Sequence, residues 1–466
     1  MYIIAAHILA RRKRDDLYMS NETARNMLYQ QFVANNAIDP KYYDEYVVKR
    51  GLRNSDGTGV MAGLTNICNV HGYVINEGEK SPIPGKLVFR GYDIKDLVEN
   101  AVKENRFAYE ETVYLLLMGN LPTHEELAAF TELMDENRQL PPNFFEDMIL
   151  KAPSRNIMNK MGRALLSLYS YDENPENRSP EFEMATAISI ISKLPNIMVS
   201  AYQVKRRVYD GQSMIMHPLI KGQSTAEMIL SALRPDRKFT DEEAKLLDIV
   251  LMLHAEHGGG NNSTFTCRVL TSSGTDPYSA YSAAIGSLKG PKHGGANIKV
   301  NEMFTCVKEH VRNWDDEGEV ADFLRKILNK EAFDHTGLIY GMGHAVYTLS
   351  DPRAVILKAN AEKLAHGTEF EKEFRLLESI ERLTPELFAE KKGDIKAMCA
   401  NVDMYSGLVY RMLGIPEDLF TPLFAVSRMA GWCAHRFEEL VTGKRIIRPA
   451  YKAVMKEREY IPIDER

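Results

Sequence analysis

An all-α architecture is the fold class this sequence predicts. Three observations carry that prediction. Apolar residues recur at helical spacing along most of the chain, glycine-rich turns separate such stretches from residue 262 to 440, and the repeated strand–helix alternation of a doubly wound sheet is missing. One small β-like element near residues 70–90 is the exception.

The elements follow in order. The first twenty residues read as a loosely held helix, and residues 21–50 are helix-prone before a charged, glycine-containing link over 49–57. Gly72–Ile75 and Lys86–Arg90 are short apolar runs on either side of a turn-rich segment, which predicts paired strands. Leu97, Val98, Ala101 and Val102 then fall at helical spacing, and Tyr109–Leu117 continues as a second apolar helix. Thr123 with Glu125 and Glu126 reads as a helix cap and acidic first turn. Two longer helices are predicted over 154–172 and 180–207, with Pro195 expected to kink or split the second. Lys205, Arg206 and Arg207 close that helix where cations complement its dipole. Helices at 224–232 and 240–255 lead into a histidine cluster, and an amphipathic helix at 420–440 precedes the tail.

Length and composition narrow the function. A chain of 466 residues holds one large domain with a smaller one, or two to three of ordinary size. With 44 % hydrophobic and 26 % charged residues it reads as an ordinary globular protein. A formal net charge of -6 leaves no electrostatic footprint for nucleic acid. Five scattered cysteines without C-x-x-C spacing predict a reducing compartment. The opening residues place Arg11–Arg14 after a short apolar segment, the reverse of a secretory signal, and no apolar run reaches the length of a membrane span. A cytoplasmic protein is expected.

Four islands carry chemistry. In His254-Ala-Glu-His257, followed by Gly258–Gly260 and Asn261, two histidines near a helix end suit either a metal, a small polar ligand approached by backbone and amide, or plain packing. No H-E-x-x-H or cysteine set completes a metal site locally. Gly290-Pro-Lys-His293-Gly-Gly-Ala-Asn297 again flanks a histidine with glycines before a helix, yet neither G-x-x-x-x-G-K-[ST] nor a post-strand G-x-G-x-x-G occurs, so phosphate cradles of those kinds are excluded. Gly341-Met-Gly343-His344 delivers an imidazole on a tight turn. Downstream, Asp351 caps a helix with Pro352 at its first position, so Arg353 projects as a fork suited to a carboxylate or phosphate. In Asn401-Val-Asp403-Met-Tyr-Ser-Gly407 a lone carboxylate follows apolar neighbours, whose burial raises its affinity for a proton, as a general base near neutral pH requires. Arg428 on the 420–440 helix and Arg448 in the tail read, each alone, as surface residues.

Together these islands resemble the citrate synthase family in residue type, order and spacing, most closely over residues 245–450 and more loosely at Arg90-Gly-Tyr-Asp-Ile94. That resemblance implies a helical homodimer whose large domain, 1–294 and 414–466, and small domain, 295–413, close on the substrates. It implies condensation of acetyl-CoA with oxaloacetate and hydrolysis of citryl-CoA, with no permanently bound cofactor and no metal, and with the coenzyme A thioester as co-substrate. Asp403, His293 and His344 would be catalytic. His257, Asn261, Arg353, Arg428 and, from the partner subunit, Arg448 would hold oxaloacetate, and Lys396 would approach coenzyme A phosphates. Lys292, Ala345 and Met398–Ala400 depart from the commonest family pattern without removing a reacting group. 2-Methylcitrate synthase is the alternative within this chemistry, since one methylene changes discrimination by only about 1–3 kcal/mol. From other classes come a metal-dependent hydrolase on His254, His257 and His293, and a helical binding protein without turnover.

Overall fold

Two packing units organise the chain. A computed structural model describes residues 21–77, 79–392 and 398–466; the expected helix over the first twenty residues, and Lys396, lie outside the described residues. One unit is residues 62–448, and the other joins the described residues up to Met61 with Pro449–Arg466. The latter holds helices α1 (Asn21–Asn35) and α2 (Lys41–Glu45) in place of one helix-prone run, and its Lys452 ammonium lies 5.4 Å from the Tyr46 ring.

The larger unit begins with an antiparallel sheet of β1 (Cys68–Asn76), β2 (Glu79–Phe89) and β3 (Tyr92–Asp93), in that order. Cys68 pairs with Phe89 and His71 with Lys86, but Tyr73 pairs with Pro82, so residues 83–85 bulge opposite Gly72. Such a bulge bends the strand and gives Pro82 and Pro84 positions where a missing N–H is tolerated. Helix α3 (Ile94–Lys103) starts directly from β3, capped by Asp93. After it come α4 (Tyr109–Met118) and α5 (His124–Glu136), the latter with the capping box of Thr123 and Glu126.

A single π-helical turn at Phe145–Leu150 precedes α6 (Ile157–Ser167) and α7 (Pro180–Tyr209). Pro195 neither splits α7 nor ends it. Leu194, Ile197 and Met198 around it are fully buried, so core packing on the flanking turns outweighs the one backbone bond proline removes. Among the described residues α7 is the one helix long and apolar enough to cross a membrane, and 72 % of its most apolar window is buried inside the chain.

The remaining helices are α8 (Thr225–Leu233), α9 (Asp241–His254), α10 (Asn262–Ser272), α11 (Pro277–Leu288), α12 (Ala296–His310) and α13 (Glu317–Leu328). They are followed by α14 (Pro352–Ala365), α15 (Glu371–Lys392), α16 (Asp403–Met412) and α17 (Phe420–Thr442). With 58 % helix and 6 % strand the chain is mainly α. Helix α17 is the axis of the core. Nearly every residue from Phe420 to Arg436 is buried, because α4, α7, α9, α10 and α11 all pack against it. A helix apolar on every side belongs inside a large core, and the polar groups it carries there, Arg428 and His435 among them, therefore need partners or a ligand.

Candidate active site

Helix α9 ends by delivering His254, Glu256 and His257 into the interior, at 1 %, 0 % and 9 % exposure. Glu256 Oε1 accepts the Gly258 N–H at 2.5 Å and lies 3.0 Å from His435 Nε2, which ties the turn to α17. Facing it, Arg428 is fully buried and donates Nε–H to the His254 carbonyl at 2.7 Å, with its guanidinium carbon 4.7 Å from the Phe424 ring. Among the described residues its Nη1 and Nη2 find no hydrogen-bond partner, and neither do the two ring nitrogens of His254 or Nε2 of His257. Each buried polar group left so costs about 1–3 kcal/mol. Their convergence marks a place for a ligand rich in acceptors and negative charge.

Burial, reinforced by the charge of Arg353 and Arg428, holds the imidazoles of His254 and His257 well below the ordinary histidine range. Burial also lowers Arg428, to about 10, so it is still charged at neutral pH. Two neutral imidazoles beside two guanidinium groups form a poor cation site, and among the described residues no three His, Cys, Asp or Glu groups are placed to share a metal ion.

His344 comes from the loop between α13 and α14. Gly341 and Gly343 both have positive φ, +84° and +88°, which glycine adopts without strain. Val346 and Tyr347 each donate a backbone N–H to His344 Nδ1 at 3.1 Å. A ring nitrogen that accepts carries no proton, so the neutral ring bears its hydrogen on Nε2. The ring stacks on Tyr347, with centroids 4.6 Å apart, and meets the His257 ring edge-on at 5.1 Å.

The same loop is laced to the segment that carries Asp403. Met342 bridges Ala400, Gly343 N–H donates to the Cys399 carbonyl at 2.8 Å, and Asn401 donates through its backbone to Gly341 and through its amide to Gly343, each at 2.9 Å. Asn401 Oδ1 in turn accepts the Asp403 N–H at 3.0 Å. Asp403 therefore opens α16 beside the His344 loop. Burial pushes its carboxyl up to about 6, although Arg353, Arg428 and a hydrogen bond from Asn297 oppose that rise.

His293 lies in the turn before α12, with Nε2 3.0 Å from Ser263 Oγ. Trp432 Nε1 donates to the same hydroxyl at 3.2 Å, and the hydroxyl is 2.9 Å from Asn261 Oδ1. Burial first, then the Arg428 charge, pushes His293 down to about 4. It is neutral at pH 7. The charge of Arg428 lowers His293, His257 and Asp403 alike, so groups of the first, second and fourth islands share the influence of one guanidinium.

Two expected positions differ from their sequence reading. Asp351 and Pro352 start α14 as predicted, but Arg353 grips its own cap: Nε and Nη2 donate to Asp351 Oδ1 and Oδ2 at 3.0 and 2.7 Å. A guanidinium at 4 % exposure needs a counter-charge even before a ligand arrives. Arg428, expected at the surface when taken alone, is fully buried. Arg448 is exposed in the tail after α17, and Asn261 turns its side chain to Ser263. Sequence reasoning passed over Asn297 and Tyr347 inside its own motifs, and it assigned no role to Ser263 or Trp432, which no motif marks.

A buried anion pocket, a carboxyl titrating near 6 and two neutral imidazoles can together remove a proton from carbon and stabilise the oxygen where charge then develops. The family model for the citrate synthase C-terminal domain matches residues 54–450. The citrate synthase of Haloferax volcanii is 34 % identical over 407 residues, 85 % of this chain and 98 % of that protein. 2-Methylcitrate synthase 1 of Corynebacterium glutamicum is 32 % identical over 424 residues, 90 % of this chain and 98 % of that protein. Among solved structures, the citrate synthase of the archaeon Thermoplasma acidophilum in ternary complex with carboxymethyl coenzyme A and oxaloacetate superposes with a TM-score of 0.72 at 28 % identity, covering 90 % of this chain and 99 % of that one.

Proposed function

The chain belongs to the citrate synthase family, and from that premise we propose that it condenses acetyl-CoA with oxaloacetate and hydrolyses citryl-CoA to citrate and coenzyme A. The observation that carries this reading is the pocket into which Nη1 and Nη2 of Arg428, both ring nitrogens of His254 and Nε2 of His257 bring unsatisfied buried nitrogens, with a carboxyl at about 6 under the influence of the same guanidinium. Asp403 takes a proton from the thioester methyl, which is acidic only if the thioester oxygen is stabilised at the same moment. His293, neutral, donates an N–H to that oxygen. The enol carbon then bonds to the ketone carbon of oxaloacetate, and the ketone oxygen receives its hydrogen from Nε2 of His344, the nitrogen its tautomer leaves protonated. Water cleaves the resulting thioester and frees the thiol.

Oxaloacetate is held by His257, His344, Arg353 and Arg428, with Arg448 reaching the pocket from the partner subunit of a homodimer. Forked, charge-assisted pairs to two carboxylates fix orientation as well as charge, and orienting two reactants removes about 7–11 kcal/mol of barrier. The small domain, 295–413, closes on the large one to exclude water, Lys396 approaches coenzyme A phosphates, and a reducing cytoplasm suits the five free thiols. The test is oxaloacetate-dependent release of free thiol from acetyl-CoA. No release at neutral pH rejects the reading.

A second reading, 2-methylcitrate synthase, is favoured by one specific observation: relatives of both activities are 32–34 % identical to this chain. Comparing kcat/KM for propionyl-CoA and acetyl-CoA decides between them.

A further inference from the structure

The bulge in the β1–β2 hairpin points at the His344 loop. Gly72 and Gly85 lie on its two strands, and neither has positive φ, so backbone conformation does not require glycine at either position. Close approach does. A Cβ on Gly72 would sit 2.7 Å from the Val346 carbonyl oxygen and 3.1 Å from Tyr347 Cα. A Cβ on Gly85 would collide with the Ser350 carbonyl oxygen and sit 2.6 Å from Tyr347 Cδ1. Backbone atoms cannot rotate aside as a side chain does. The seat is also hydrogen-bonded, since Gly85 N–H donates to Ser350 Oγ at 3.1 Å and Tyr347 O–H to the Lys86 carbonyl at 3.3 Å.

What rests on this seat is the peptide stretch that orients His344. Val346 and Tyr347 supply the two N–H groups that keep Nδ1 an acceptor, and the Tyr347 ring stacks on His344 and meets His257 edge-on with centroids 5.6 Å apart. A methyl at residue 85 cannot be seated unless Ser350 and Tyr347 move, and a shift of Tyr347 moves both imidazoles and loosens both N–H contacts.

We infer that the β1–β2 hairpin is a positioning element for the proposed reaction: Gly72, Gly85 and Ser350 seat Tyr347, and Tyr347 with Val346 fixes the plane and tautomer of His344. Its link to turnover rests on the role given to His344 above, while the tautomer itself can be read without turnover. The experiment uses full-length protein with 15N-labelled histidine rings, the His344 signals being identified by their loss in His344→Gln. In the unaltered protein one His344 nitrogen is a bare acceptor and the other carries the proton. Gly85→Ala is expected to collapse that pattern toward tautomer exchange and to lower kcat at least 10-fold, with KM for the acyl-CoA changed less than 3-fold. Tyr347→Leu is expected to do the same, and Tyr347→Phe, which keeps the stack, to lose no more than about a third as much. Should Gly85→Ala not fold, Ser350→Ala, which removes only the hydroxyl acceptor, is expected to change kcat 2- to 5-fold with the same spectral trend. A folded Gly85→Ala or Ser350→Ala protein that keeps the unaltered ring pattern overturns the inference, whatever its rate. So does a Tyr347→Phe protein as impaired as Tyr347→Leu. If the unaltered protein releases no thiol, the proposed function fails while the ring spectra still judge the hairpin.

Discussion

Asp403 and Arg428 show how single residues are set against their own comfort. Burial lifts Asp403 to about 6, above the value an unfolded aspartate has, so the native state binds the proton more readily and ionisation destabilises it as pH rises from about 4 through 6. Asp403→Asn should accordingly abolish thiol release yet raise stability at pH 8 by about 1–3 kcal/mol, a gain that vanishes below pH 4; denaturant melts at both pH values measure it. For the active protein, kcat/KM should fall on the acid side with a midpoint near 6, since the base works only when ionised. Asn297→Ala removes a hydrogen bond that favours the carboxylate and should move that midpoint upward by up to about one unit. Arg428→Met should weaken oxaloacetate binding at least about 100-fold, while the ligand-free protein melts no lower than the unaltered one, because a buried guanidinium with two idle nitrogens is removed. Asp403 stands in a motif visible in the chain, whereas Arg428 gains meaning only from the resemblance. Ser263, which meets His293 from 30 residues away, and Trp432, which donates to Ser263 from 169 residues away, are not marked by any motif, since a hydroxyl and an indole in helices carry no pattern of their own.

Elements obey local rules wherever both partners of a contact are close in sequence. The capping box of Thr123 and Glu126 could be read directly, and the same device recurs at Ser224 with Glu227 and at Thr240 with Glu243. Pro195 was the opposite case: its cost is local, but the packing that keeps α7 continuous comes from other helices. Between α7 and α17 that packing includes Arg436, fully buried, with Nε and Nη2 donating to the two Glu183 oxygens at 2.8 and 2.7 Å. Leaving one buried charge unpaired is the costly change. Glu183→Gln alone should lower stability by about 3–5 kcal/mol in urea unfolding, and the Glu183→Leu/Arg436→Met double variant should lose clearly less than the sum of its single changes.

At the scale of the molecule, the proposed dimer has its own consequence. Arg448 is exposed in the single chain; if the partner subunit's pocket is where it acts, Arg448→Ala should raise KM for oxaloacetate, and mixing that protein with Asp403→Ala should restore part of the activity through hybrid dimers. Mixed chains that stay as inactive as their parents would show that each subunit is self-contained.

By itself the sequence determined the helical class, the small sheet near 70–90 and most of the helix starts, because hydrophobic period, caps and glycine turns act over a few residues; it also named the residues proposed to react. Only the tertiary structure decided that Arg428 is buried with idle nitrogens, that Arg353 leans on Asp351, that Asn401 laces two islands sixty residues apart and that the hairpin bears on Tyr347. Those outcomes depend on which distant surfaces exclude water from one another, and burial of that kind is a property of the assembled core.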